Sequence, residues 1–141
     1  MSDFSSYVTI RTSASVPTLS FVSSDDPNGL GSYIVAPPQT IDPGSTAAFQ
    51  LGAASGPYGS DGQVTYTGTE IRLTFAYSCP YGDDPNTGTA QITASDYVVD
   101  VWGKSGDGQW QPAGPPGSDH PTYVWFGVRK PDETLPNPLQ S

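Results

Sequence analysis

Apolar and polar residues alternate one by one through EIRLTFAYS, residues 70–78: Ile71, Leu73, Phe75 and Tyr77 fall on one face, Arg72, Thr74, Ala76 and Ser78 on the other. A period of two belongs to a half-buried strand of an antiparallel sheet. Shorter β-rich runs predict further strands at Tyr7–Ile10, Ser32–Val35, Thr46–Leu51, Gln63–Tyr66, Gln91–Ile92 and Tyr97–Trp102. The last run, TYVWFGVR at 122–129, is apolar on both faces, which places it centrally in a sheet or beside a contact surface. No window carries a sustained period of 3.6, and glycine or proline interrupts most helical candidates. About eight short strands separated by turns predict an all-β fold, a single-domain antiparallel β-sandwich spanning 1–130. Residues 103–121 read as a long Gly/Pro-rich loop, and PDETLPNPLQS, 131–141, as a flexible C-terminal tail.

Composition narrows the function. A chain of 141 residues fits one domain. With 16 glycines and 15 prolines, turns are dense. Only 13% of residues are charged, so Ser, Thr, Asn, Gln and Gly must make most of the polar surface. The net charge is −9, and Arg11, Arg72, Lys104, Arg129 and Lys130 are the only cations. That balance excludes nucleic acid as a partner and disfavours anionic lipid, both of which need clustered Lys and Arg. A zwitterionic or neutral surface, or a basic partner protein, stays open. The N-terminal MSDFSSYVTI lacks the basic start and apolar run of a secretion signal. The expectation is cytoplasmic synthesis, with action outside the cell after release.

Chemistry-bearing residues are few. Cys79 and His120 are the only thiol and the only imidazole, and no motif flanks either to make a nucleophile–base pair. Asp25, Asp26, Asp83 and Asp84 offer hard oxygen ligands, but adjacent aspartates followed by proline suit turns better than a calcium loop. In both SDDPNG (24–29) and GDDPNTG (82–88), Asp, Pro and Asn read as a type I turn in which Asn or Gly takes the left-handed position. Neither an enzyme nor a cofactor is expected. Tyr58, Tyr81 and Trp110 lie in turn-rich segments, where an aromatic ring has an apolar body and a polar tip to present at a boundary. Two readings follow from exposed aromatics: a membrane-binding protein, or a carbohydrate-binding β-sandwich lectin whose rings stack on sugars.

The middle of the chain resembles the aegerolysin family. The resemblance rests on IDPGSTAAFQLGAASGPYGSDGQVTY, 41–66, with Gly59 and Gly62 as its Gly-x-x-Gly, and on IRLTFAYSCPYGDDPNTGTAQI, 71–92, with Cys79, Pro80, Tyr81, Gly82 and Asn86 as its Cys-Pro-aromatic-Gly and following Asn. YVVDVWGKSGDG and YVWFGVRK look like the family's closing strands. The resemblance implies a β-sandwich that binds a membrane lipid of sphingolipid type or a cell-surface receptor. It also implies a larger pore-forming partner protein, the small chain being one component of a cytolytic or insecticidal binary toxin. The lipid-contacting aromatic carries over to Tyr81. Tyr58 stands where sphingomyelin-binding members have an acidic residue, and Asp84 where fungal members have a lysine. The candidate lipid- or receptor-binding residues, from the resemblance and from the loop aromatics together, are Tyr58, Tyr81, Asp84, Asn86 and Trp110. Pairing of two copies through a sheet edge stays open.

Overall fold

The computed structural model describes residues 3–25, 31–53, 58–94 and 96–139. Asp26 and the first Asp-Pro-Asn turn lie outside the described residues. Among those described, eleven strands form two sheets: β1 (Ser6–Thr12), β2 (Leu19–Asp25), β3 (Ser32–Val35), β4 (Thr40–Ile41), β5 (Thr46–Gly52), β6 (Ser60–Gly68), β7 (Ile71–Cys79), β8 (Thr87–Thr93), β9 (Val98–Ser105), β10 (Gln111–Pro112) and β11 (Thr122–Arg129). One sheet runs β10-β9-β11-β1-β5-β3 and the other β4-β2-β6-β7-β8. The architecture is the expected all-β sandwich.

Alternation drives the packing. Val8, Ile10, Phe49, Leu51, Val124, Phe126 and Val128 of the first sheet are buried, as are Leu19, Val64, Tyr66, Leu73, Phe75 and Tyr77 of the second. The rings of Phe75 and Phe126 meet across the core with centroids 4.7 Å apart. The two buried phenols keep partners: Tyr66 donates to the Pro38 carbonyl at 2.6 Å, and the Tyr77 and Tyr33 hydroxyls pair at 2.5 Å. A buried hydroxyl without such a partner would cost about 1–3 kcal/mol.

The structure departs from the sequence reading in several places, the short strands β4 and β10 among them, the latter inside the segment read as a loop at 103–121. The run at Gln63–Tyr66 extends to nine residues, Ser60–Gly68, and takes in both Gly62 and Gly68. A Cβ at Gly62 would come within 2.7 Å of Leu51 Cδ2, so the gap is filled by a neighbour's side chain. Strand β2 was not foreseen. It joins β4 to β6, and its Ser20, Val22, Ser24 and Asp25 are exposed, leaving little apolar pattern to read. Finally, β1 pairs with β11 in parallel, Val8 opposite Val124 and Ile10 opposite Phe126, in an otherwise antiparallel sandwich.

The segment after β11, expected to fray, is fastened. Glu133 accepts from Ser13 Oγ at 2.9 Å, Ser15 Oγ at 2.7 Å and the Lys130 amide at 2.9 Å. Its carbonyl accepts from Arg129 Nη1 at 2.8 Å. The Lys130 amide and the two serines hold the Glu133 carboxyl below the usual carboxylate range. A single acidic side chain in a proline-rich stretch gives no periodic signal of such docking.

Candidate functional site

Strand β7 ends at Cys79, and the chain turns through 80–85 before re-entering the sheet at β8. The left-handed residue of this turn is Gly82, at φ 97°, and not Asn86. The turn starts against Gly59, where a Cβ would lie 1.9 Å from the Cys79 carbonyl oxygen and 2.8 Å from Pro80 backbone atoms. That close approach needs glycine. It sets the base from which Tyr81 projects, 54% exposed. Tyr58 is exposed too, two residues before β6 begins, as Tyr81 is two residues after β7 ends. Since Ser60 pairs with Cys79, both tyrosines leave the ladder at the same end of the sandwich.

Behind Tyr81 stands an aromatic row. Its ring lies 5.2 Å from that of Phe4, and Phe4 meets the His120 imidazole edge-on at 4.3 Å. Phe4, Tyr81 and His120, with Gly82, Asp83 and Asp119, line an open depression of about 420 Å³. Asp84 is exposed beside it in the same turn. Near His120, burial would push the Asp3 carboxyl up, but hydrogen bonds from Ser5 and Tyr7 outweigh it and hold Asp3 below its ordinary range. The Tyr7 hydroxyl donates to Asp3 at 2.6 Å, and that bond, with burial, pushes the phenol up to about 12. The end is thus an aromatic ridge rimmed by carboxylates, suited to the positive part of a ligand.

Asn86 does something else. It is 5% exposed, and its side-chain amide donates to Ser105 Oγ at 2.8 Å and to the Asp119 carbonyl. Its backbone N–H donates to the Gly117 carbonyl at 2.9 Å. Asn86 therefore clips the 106–121 loop to the turn and does not face a ligand. The loop is pinned further where Pro115 packs on Gly103 and Gly88. Phe4 and His120 were missed as companions of Tyr81, because neither lies in a patterned segment and only the folded loop brings them together.

Trp110 stands apart from Tyr81. It lies on the outer face of the six-stranded sheet, 6.4 Å from the Tyr123 ring, with Lys104 Nζ 5.6 Å from the Trp110 centroid and 4.7 Å from that of Tyr123. Tyr123 stacks on Tyr7 at 5.1 Å. Trp125 and Trp102 are register partners on the same face, so all three tryptophans of the chain gather there. The double-sided apolar run at 122–129 is the signal for this face: Val124, Phe126 and Val128 point inward, Tyr123 and Trp125 outward.

The other candidate chemistry is not assembled. Cys79 is 0% exposed, and burial pushes its thiol up, away from the thiolate a nucleophile requires. Among the described residues no group of three or more His, Cys, Asp or Glu side chains is placed to hold a metal ion.

Neither a protein-family model nor a curated protein sequence matches the chain. Solved structures do. The fold is that of the RahU protein, crystallised with a Tris molecule: TM-score 0.66 at 15% identity, covering 92% of this chain and 97% of that one. It is also similar to the lipid-binding protein Nakanori, at TM-score 0.61 and 12% identity over 89% of this chain and 70% of that one. At these identities the likeness establishes a shared fold.

Proposed function

We propose that the protein binds membrane lipid headgroups through the end of the sandwich that carries Tyr81, and acts outside the cell as the smaller component of a two-component pore-forming toxin. The observation that carries this reading is the half-exposed Tyr81 ring, backed by Phe4 and His120 and rimmed by Asp83 and Asp119. Tyrosine at such a tip favours the polar–apolar boundary of a bilayer. The carboxylates and the net charge of −9 favour a zwitterionic headgroup, whose choline or ethanolamine nitrogen is positive, over an anionic one. Support also comes from the aegerolysin-like Cys79-Pro80-Tyr81-Gly82 turn and from the fold shared with a lipid-binding protein. Among the described residues no helix is long and apolar enough to cross a membrane.

Sedimentation with liposomes tests the reading. Phosphatidylcholine alone, with sphingomyelin and cholesterol, and with ceramide phosphoethanolamine are compared. Selective pelleting with one sphingolipid mixture, lost in Tyr81→Ala, is expected. Pelleting with none, or an unaffected Tyr81→Ala, overturns the headgroup site. Dye leakage from liposomes caused by this protein alone sinks the two-component part.

A further inference from the structure

The outer face of the six-stranded sheet holds a groove of about 320 Å³, separate from the depression beside Tyr81. Its floor is Thr9, Arg11 and Thr46, all outward residues of β1 and β5. One wall is Trp110 and Trp125, and the other is Pro136 and Pro138 of the docked C-terminal segment. Glycine shapes the floor: the Trp125 ring lies over Gly127, where a Cβ would sit 2.5 Å from Cη2. Because Arg11 is the register partner of Gly127, the indole comes down beside the guanidinium.

Arg11 is the unusual member. Its Nε is withdrawn from water and has no hydrogen-bond acceptor. The nearby ion pair is already made elsewhere, Arg129 Nε to Asp100 at 2.7 Å, and among the described residues none engages Arg11. Among the described residues only Arg129 forms an ion pair, so what sets Arg11 apart from the other cations is its buried, unpartnered Nε. A buried donor without an acceptor costs free energy, and the guanidinium that carries it lines the groove.

From this arrangement we infer that the groove is a binding site for a carboxylate-bearing sugar ring. A single guanidinium matches one carboxylate through two parallel hydrogen bonds. A phosphate dianion would be served better by several cations, and the groove lining offers one, Arg11. The indoles and prolines supply apolar surface for the C–H face of a ring, and the Thr9 and Thr46 hydroxyls can serve its hydroxyl groups. The volume lies at the small end of the range of about 300–1,000 Å³ for small-ligand sites, so the groove takes one ring rather than a chain.

The test follows the indole N–H signals of the three tryptophans by NMR during titration with sodium glucuronate, with glucose and sodium phosphate as the other arms. Saturable shifts of the Trp110 and Trp125 signals with glucuronate, and none with glucose, are expected. Arg11→Gln should weaken glucuronate binding about tenfold or more, the size of a lost charge-assisted pair. Should Arg11→Gln disturb the fold by circular dichroism, Trp110→Ala serves as the second variant and should weaken binding likewise. No saturable shift at tens of millimolar glucuronate, equal shifts with glucose, tighter binding of phosphate, or glucuronate binding unchanged in a folded Arg11→Gln each overturns the assignment.

Discussion

The end of the sandwich at Tyr81 and the outer face at Trp125 are built from the same materials and present opposite surfaces. Both gather aromatic rings outside the core. At the end the rings are open, with Tyr81 half exposed and carboxylates around it. On the face Trp125 is 8% exposed, with Leu135 of the last segment beside it, and the charged residues that share its hollows are Arg11 and the Arg129–Asp100 pair. An aromatic residue's strand or loop assignment therefore does not decide its exposure. What decides it is whether a later piece of chain returns to cover it. A cationic ligand suits the first surface and an anionic one the second.

That contrast can be broken by substitution, and the largest effects should fall on covered rings. Phe75→Ala, in the core, and Trp125→Ala, beneath the C-terminal segment, should each lower unfolding free energy by about 3–5 kcal/mol in urea denaturation. A Trp125→Ala cost near zero would mean that the segment does not cover the ring in solution. Next comes Asn86→Ala, which removes the donor to Ser105 and Asp119 and leaves their oxygens unpaired. A loss of about 1–3 kcal/mol is expected. Faster amide exchange in 106–121 should accompany it. Tyr81→Ala should change stability by no more than about 0.5 kcal/mol, as truncation of an exposed residue does. It should still abolish liposome pelleting. If it unfolds the protein as Phe75→Ala does, Tyr81 is a core residue and the proposed site is wrong.

The smallest effect concerns the clamp at Glu133. A carboxyl held below its ordinary value stabilises docking fully above the unfolded-state value of 4.5 and loses that contribution as pH falls through the folded value. Acidification through the carboxylate range should thus raise acrylamide quenching of tryptophan fluorescence, and Glu133→Gln should show raised quenching already at neutral pH. Quenching that is equal in both proteins at pH 7 would assign the segment's hold to Leu135 and the prolines alone.

Sequence reading reached what side-chain periodicity records. Strand β7 was legible because Ile71, Leu73, Phe75 and Tyr77 all face one packed layer, and β11 was legible as two-sided because both of its faces are covered. Strand β2 was not, since an exposed Ser- and Asp-rich strand carries its hydrogen bonds in the backbone, where composition leaves no trace. At the proposed site, Tyr81 and Asp84 could be placed on a turn from Cys-Pro-Tyr-Gly and its neighbours. Asn86 could not be told from them, because one position along a turn separates an exposed side chain from a buried clip. Trp110 and Tyr81 were grouped because both lie in loops, but loops alone do not say which side of a sheet they fold onto.

The parallel pairing of β1 with β11 has a consequence for how the chain is made. The first and last strands sit side by side in the interior of the six-stranded sheet, and their contacts span nearly the whole sequence. A polypeptide leaving the ribosome can assemble the β6–β7–β8 meander from neighbours in sequence, but β1 must wait for β11 before that sheet can close. Late closure across so large a loop slows folding and leaves half-built strand edges exposed meanwhile. A stalled or truncated product ending before Thr122 would carry the β7–β8 hairpin whose turn presents Tyr81, yet lack the strand that joins β1 to β9.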